Sequence, residues 1–178
     1  MENINQIDWD FIGKLEGKGI GEGYVPSDNS GVTIGTGVDL KEKNEEYFQK
    51  INVSQPIIDK IKPFFTLKGA EASEVAGNLQ LDDNEVLELD TAVKKNYAND
   101  IKLKYEEATG KDFTSLSSAQ QTVIVSVGFQ YGSFERTPSF WKAVVANDWE
   151  SVEKELRKFR DNYTTRRIKE ADLLSAMK

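Results

Sequence analysis

Apolar residues follow two periods along this chain, and the change of period divides it. Trp9, Ile12 and Leu15 recur at helical spacing and predict a short amphipathic helix. Asp8 is its N-cap and Gly17 its C′ residue, so Glu16 falls in the last turn. The period then shortens. Gly19, Gly21 and Gly23 predict a flexible loop, and Tyr24-Val25-Pro26 a short edge strand, since Pro26 has no N–H to donate. Asp28-Asn29-Ser30-Gly31 reads as a turn. Val32 and Ile34 alternate with Thr33 and Gly35, as the second strand of a tight hairpin running to Asp39.

From Leu40 onward only helices are predicted. Asn44–Ile51 is short; Ser54 caps the next, with Pro56 in its first turn and Pro63 ending it; Ala70–Ala76 adds a turn or two. Asp82 or Asp83 opens a long helix whose stripe is Val86, Leu89, Val93, Tyr97, Ile101 and Tyr105, closing at Gly110. The segment capped by Ser117, AQQTVIVSVGFQYG, is apolar nearly all round and predicts a buried central helix. Thr137-Pro138 and Asp148 open two more, and a last one runs from about Thr165 to Met177.

The pattern predicts an α+β fold, mostly helical, over one domain, residues 1–178. A small hairpin lobe, about 17–80, and a helical lobe, about 81–178 together with the first helix, are expected to be joined by the long helix. A cleft between such lobes would suit a polymer.

Composition narrows the chemistry. Cysteine and histidine are both absent, which removes thiol nucleophiles, Cys/His zinc sites and Ser-His-Asp triads. No metal or cofactor is expected, and acid–base work falls to Asp, Glu, Lys or Tyr. Two carboxylates suffice for glycoside hydrolysis. The net charge of −7 argues against a nucleic-acid binder. Between Val152 and Lys169, however, seven Lys and Arg stand against three Asp and Glu. That segment reads as a solvated helix face or as a basic rim for an anionic polymer. No run is long and apolar enough to span a membrane, and Met1–Asn5 lacks the basic and apolar regions of a signal peptide.

Glu16 is the first candidate for the chemistry. A carboxylate in a helix's last turn faces the negative end of the macrodipole, which disfavours its ionised form. A helix built for stability would carry lysine there, and functional sites are where such local rules break. Asp39 and Thr33 lie on the hairpin. Asp39 has a competing reading as N-cap of the following helix, and Thr33 one as a simple strand former. Gly35 and Gly37 would permit a sharp bend or the close approach of a ligand, but no Gly-Lys-Ser/Thr follows them as in a phosphate loop.

Leu15-Glu16-Gly17, Gly23-Tyr24-Val25-Pro26 and Ser30 to Leu40 (SGVTIGTGVDL) together resemble the activity domain of pesticin, a bacterial toxin module related to phage-type lysozymes. The likeness continues at Leu116-Ser117, Tyr131-Gly132, Pro138–Val144 and Arg166–Leu173, while residues 41–110 offer little to match. The resemblance implies a lysozyme-like fold and hydrolysis of the β-1,4 bond between N-acetylmuramic acid and N-acetylglucosamine. It carries the catalytic Glu onto Glu16, the Thr onto Thr33 and the Asp onto Asp39. The order departs from the ordinary phage pattern Glu-x8-Asp-x5-Thr, because Val25 stands nine residues after Glu16 and the hydroxyl precedes the carboxylate. Asp39 as base therefore rests on the pesticin-like arrangement, and Asp28 on the turn is the rival. Tyr24, Arg136, Arg166 and Arg167 are the expected substrate contacts, with structural ion pairs the alternative for the arginines.

The partner so implied is peptidoglycan, met by a monomer, with a cognate immunity protein as a further candidate. A leaderless chain made in the cytoplasm would reach the cell wall, in the periplasm of a target or host bacterium, by another route. The competing function class is a cell-wall-binding module that keeps the fold and has lost the chemistry.

Overall fold

The computed structural model describes residues 6–176. The leader reading at Met1–Asn5 and the end of the last helix at Met177 lie outside the described residues. The chain divides into two compact units, Glu16–Asn96 and the remainder, and the division falls inside the long helix between Asn96 and Tyr97.

The Glu16–Asn96 unit opens with a three-stranded antiparallel meander: β1 (Ile20–Tyr24), β2 (Thr33–Gly35) and β3 (Val38–Asp39), in that spatial order. Two expectations change here. The glycine-dense stretch expected as a loop is strand β1, and Val25-Pro26 lies beyond it. The glycines admit a close backbone: a Cβ on Gly21 would stand 2.4 Å from the Leu81 carbonyl oxygen, and one on Gly23 2.4 Å from that of Ala76. The gap so kept is bridged by Gly23 N–H to Leu79 O at 2.9 Å and Leu81 N–H to Gly21 O at 2.7 Å. The single strand expected from Val32 to Asp39 is instead two, folded at Gly35 and Gly37, whose φ angles of +65° and +115° side-chain-bearing residues rarely adopt.

Three short helices follow, α2 (Glu45–Lys50), α3 (Gln55–Ile61) and α4 (Gly69–Val75). Asn44 caps α2 through Tyr47 N–H at 2.8 Å. Ser54 makes no side-chain cap to α3; its own N–H is taken by Glu88 at 2.7 Å. The core of this unit gathers Val32, Ile34, Leu40, Phe48, Ile58, Ile61, Leu79 and Leu89.

Helix α5 (Asp83–Thr109) is the long helix the sequence predicts. Asp82 caps it by accepting from Asn84 and Glu85 N–H, both at 2.9 Å, and Glu85 returns to Asp82 N–H at 3.0 Å. That reciprocal pair is a capping box. The stripe is buried at Val86, Leu89, Ile101 and Tyr105, and Gly110 ends the helix at φ +66°.

The second unit holds α1 (Trp9–Glu16) up to Leu15, the end of α5, and α6 (Ser118–Tyr131), α7 (Pro138–Val145), α8 (Trp149–Arg157) and α9 (Thr164–Ser175). Asp8 caps α1 at Phe11 N–H, 2.8 Å, and Asp148 caps α8 at Ser151 N–H, 3.0 Å. Ser117 and Gln120 form the capping box of α6, which is buried from Gln121 through Gly128. A helix apolar on every side has no solvent face to offer, so it takes the centre of this unit's core, with Ile12, Ile101, Phe113, Phe140, Val152 and Leu174 around it.

Candidate active site

Tyr24, Thr33 and Asp39 form one row across the sheet. Tyr24 is the register partner of Thr33, and Thr33 of Asp39. Directly opposed residues on antiparallel strands project on one face, with Cβ atoms about 4.5–5.5 Å apart. Two of the three expected catalytic residues and one expected substrate contact thus share one face of the sheet. Asp28 is exposed on the β1–β2 connection and is not part of that row.

The backbone locks Asp39 in place. Its carboxylate accepts from Gly31 N–H, 3.2 Å to each oxygen, and from Lys41 N–H at 2.9 Å. Thr33 is 2 % exposed and gives its hydroxyl proton to Gly31 O at 3.3 Å. Gly31 therefore serves both residues, Asp39 through its N–H and Thr33 through its carbonyl oxygen. It has to be glycine: a Cβ there would lie 2.6 Å from Asp39 Oδ1 and 2.4 Å from Lys41 Cβ. Asp39 does not cap the following helix, a role that belongs to Asn44.

Glu16 ends α1 immediately before Gly17, whose φ is +80°. Its side chain is 13 % exposed, and Lys94 Nζ lies 2.9 Å from its Oε2. One turn earlier on α5 stands Asp90, 6 % exposed, which accepts from Thr36 N–H at 3.1 and 3.2 Å. Burial raises the Asp90 pKa and the negative Glu16 adds to the rise, against the lowering by Thr36 and Lys94. Burial, and then the charge of Asp90, also raises the pKa of the Tyr24 phenol. Neither Asp90 nor Lys94 is among the residues singled out by the sequence. Their signal was an acid and a base four apart on one helix, masked by the apolar stripe beside them.

The expected arginines part company. Arg136 is exposed. Arg167 is 1 % exposed and points inward: its Nη1 pairs with buried Glu170, and its Nε donates to Asp161 Oδ2 at 3.0 Å. The guanidinium also lies over the rings of Tyr131 and Phe159, 5.5 and 5.1 Å from their centroids. Arg166 donates to Ser126 O at 3.0 Å and pairs with Glu170 at 3.3 Å. Arg167 thus takes the structural ion-pair role instead of a substrate surface. Doublets of arginine carry no sequence mark that tells an interior ion pair from a substrate clamp.

Among the described residues, no group of three or more His, Cys, Asp or Glu gathers as metal ligands, and no helix is long and apolar enough to cross a membrane.

A small three-stranded antiparallel sheet and a mostly helical remainder make this a lysozyme-like α+β protein. Residues 6–150 match the family described as Pesticin, the bacterial toxin homologue of phage lysozyme, C-terminal part, and the chain belongs to that family. Among curated proteins none matches.

Proposed function

We propose that the chain is a muramidase, cleaving the β-1,4 bond between N-acetylmuramic acid and N-acetylglucosamine of peptidoglycan with inversion. The observation that carries this reading is the pairing of Thr33 with an Asp39 carboxylate fixed by backbone N–H groups. Family membership points to the same class of polymer.

In this mechanism Glu16, in its acid form, gives its proton to the glycosidic oxygen as the bond to C1 breaks. A water held by Thr33 and Asp39 attacks C1 from the opposite face, and Asp39 takes the water's proton. A hydroxyl beside a carboxylate orients a water, whereas a nucleophilic aspartate has no use for one. Inversion requires the two carboxyl groups about 6.5–9.5 Å apart, against about 5–5.5 Å for a covalent route. Tyr24, in the same row as Thr33 and Asp39, would contact the glycan. The protein acts on the cell wall after delivery.

The test is product analysis on purified peptidoglycan. Fragments ending in reducing N-acetylmuramic acid, with the α-anomer released first by NMR, are expected. Reducing N-acetylglucosamine ends would overturn the bond assignment. First release of the β-anomer would overturn inversion, and binding without turnover would leave a wall-binding module.

A further inference from the structure

Asp90 is a junction of three segments. Its carboxylate holds Thr36 N–H in the β2–β3 turn, and a Cβ on Gly35 would lie 2.3 Å from its Oδ1. A Cβ on Gly19, between α1 and β1, would lie 2.8 Å from its Oδ2. Both glycines thus let the backbone close down on a buried carboxylate. Lys94, four residues along α5 and on the same face, reaches Glu16 at 2.9 Å, with only 19 % of its side chain exposed. Two successive turns of one helix therefore grip the acid and the turn that carries the Thr33–Asp39 strands.

We propose that Lys94 and Asp90 are positioning residues: Lys94 fixes the Glu16 carboxylate, and Asp90 fixes the β2–β3 turn, so that α5 sets the acid against the Thr33–Asp39 pair. Glu16 needs such a fixture, because it sits at a helix end followed by a glycine in left-handed conformation. A side chain there has its backbone held on one side only. Lys94 Nζ can donate to the Glu16 carboxyl whether that group is charged or neutral, and with both side chains largely withdrawn from water the contact is screened less than an exposed one. The arrangement also explains why a buried aspartate is kept where burial opposes its charge: an apolar residue would leave Thr36 N–H without its acceptor.

The inference rests on the muramidase reading for its kinetic readout, and the experiment separates the two. Lys94→Met, Lys94→Arg, Asp90→Asn and the double variant Asp90→Asn/Lys94→Met are compared on soluble peptidoglycan fragments. Lys60→Met is the control, since it breaks a 2.7 Å ion pair with Glu85 on the same helix, away from Glu16. A misplaced reacting group costs up to about a hundredfold, so Lys94→Met should lower kcat by about ten- to a hundredfold. Its KM should stay within about twofold, as expected when ground-state binding is untouched. Lys94→Arg should recover most of the rate, and Lys60→Met should match wild type. The double variant should lose no more than the worse single variant, as residues acting as one unit do. Wild-type kcat in Lys94→Met, a loss that arginine does not restore, or losses that multiply in the double variant would overturn the proposal. If wild type itself turns nothing over, the muramidase reading falls, and the positioning claim is read from the Glu16 13Cδ resonance. A shift in Lys94→Met with none in Lys60→Met keeps it, and no shift in Lys94→Met overturns it.

Discussion

Thr33 stands directly opposite Asp39 across β2 and β3, and both side chains are tied to the backbone of Gly31. The pair is therefore held by backbone and has little freedom to adjust when either member changes. Asp39→Asn should fold, since the amide oxygen still accepts from Lys41 N–H, and should lower kcat by about 10²–10⁴-fold, the usual worth of a general base. Thr33→Ala should lower kcat and spare KM, with Thr33→Ser recovering rate. A change confined to KM would make Thr33 a binding residue.

Gly31 should tolerate no side chain. The methyl of Gly31→Ala would meet Lys41 Cβ, Asp39 Oδ1 and the Leu67 carbonyl oxygen, all within 2.9 Å. Overpacking of this kind costs about 1–3 kcal/mol, or roughly 2–12 °C in Tm for a chain of this size. Gly13→Ala is the contrast. It sits inside α1 with nothing within 4 Å of the added carbon, and should gain about 0.5–1 kcal/mol. Calorimetry of the two variants should show shifts of opposite sign, and equal shifts would contradict the packing described.

Acid should weaken the interior ion network around Arg167. Burial alone would raise the Asp161 pKa, but hydrogen bonds from Tyr131 at 2.6 Å, Arg167 at 3.0 Å and Tyr163 N–H at 2.9 Å bring it below the ordinary value. The same burial, with Asp161 beside it, pushes the Tyr131 phenol up to about 12, so it remains a donor. A depressed carboxylate adds stability that is fully present above its unfolded pKa, about 3.9, and is lost as pH falls through the folded value. Tm measured for wild type and Asp161→Asn should differ near neutrality and converge below about pH 4. A constant gap across that range would contradict the linkage.

Lys158, Arg160 and Lys169 are exposed in the basic segment, while Arg157 pairs with Glu153 at 3.1 Å and Asp172 at 2.8 Å. If the exposed cations hold an anionic wall, lytic rate should fall as salt passes about 0.1 M, where screening shortens to roughly 10 Å. Lys158→Glu with Arg160→Glu should weaken wall binding and flatten the salt response. Unchanged binding would leave a solvated face.

Helices were readable because their signals are local. Asp8, Ser117 and Asp148 cap where the sequence places them, and the 3.6-residue stripe of α5 is buried at Val86, Leu89, Ile101 and Tyr105. The sheet was less readable, because glycines at 21 and 23 act through distant carbonyls at 81 and 76, which no window around them contains. A glycine run looks the same whether it is loose or pressed against a neighbour. The candidate site divides likewise. Glu16, Thr33 and Asp39 lie in a short span and stand out by pattern, whereas Asp90 and Lys94 join them only through contacts across 54 and 78 positions of sequence. Arg167 misled because a charged side chain reads as exposed until Glu170 and Asp161 are seen beside it.

The role of Glu16 as general acid is the centre of the proposed mechanism, and clearing of a peptidoglycan suspension by Glu16→Gln tests it most directly. Glutamine keeps the size of the side chain and leaves an oxygen for Lys94, so the variant should match wild type in circular dichroism. Its clearing rate should fall by at least about 10²-fold, the lower bound for a group that transfers a proton in the transition state. A folded Glu16→Gln protein that clears peptidoglycan at the wild-type rate would contradict the assignment.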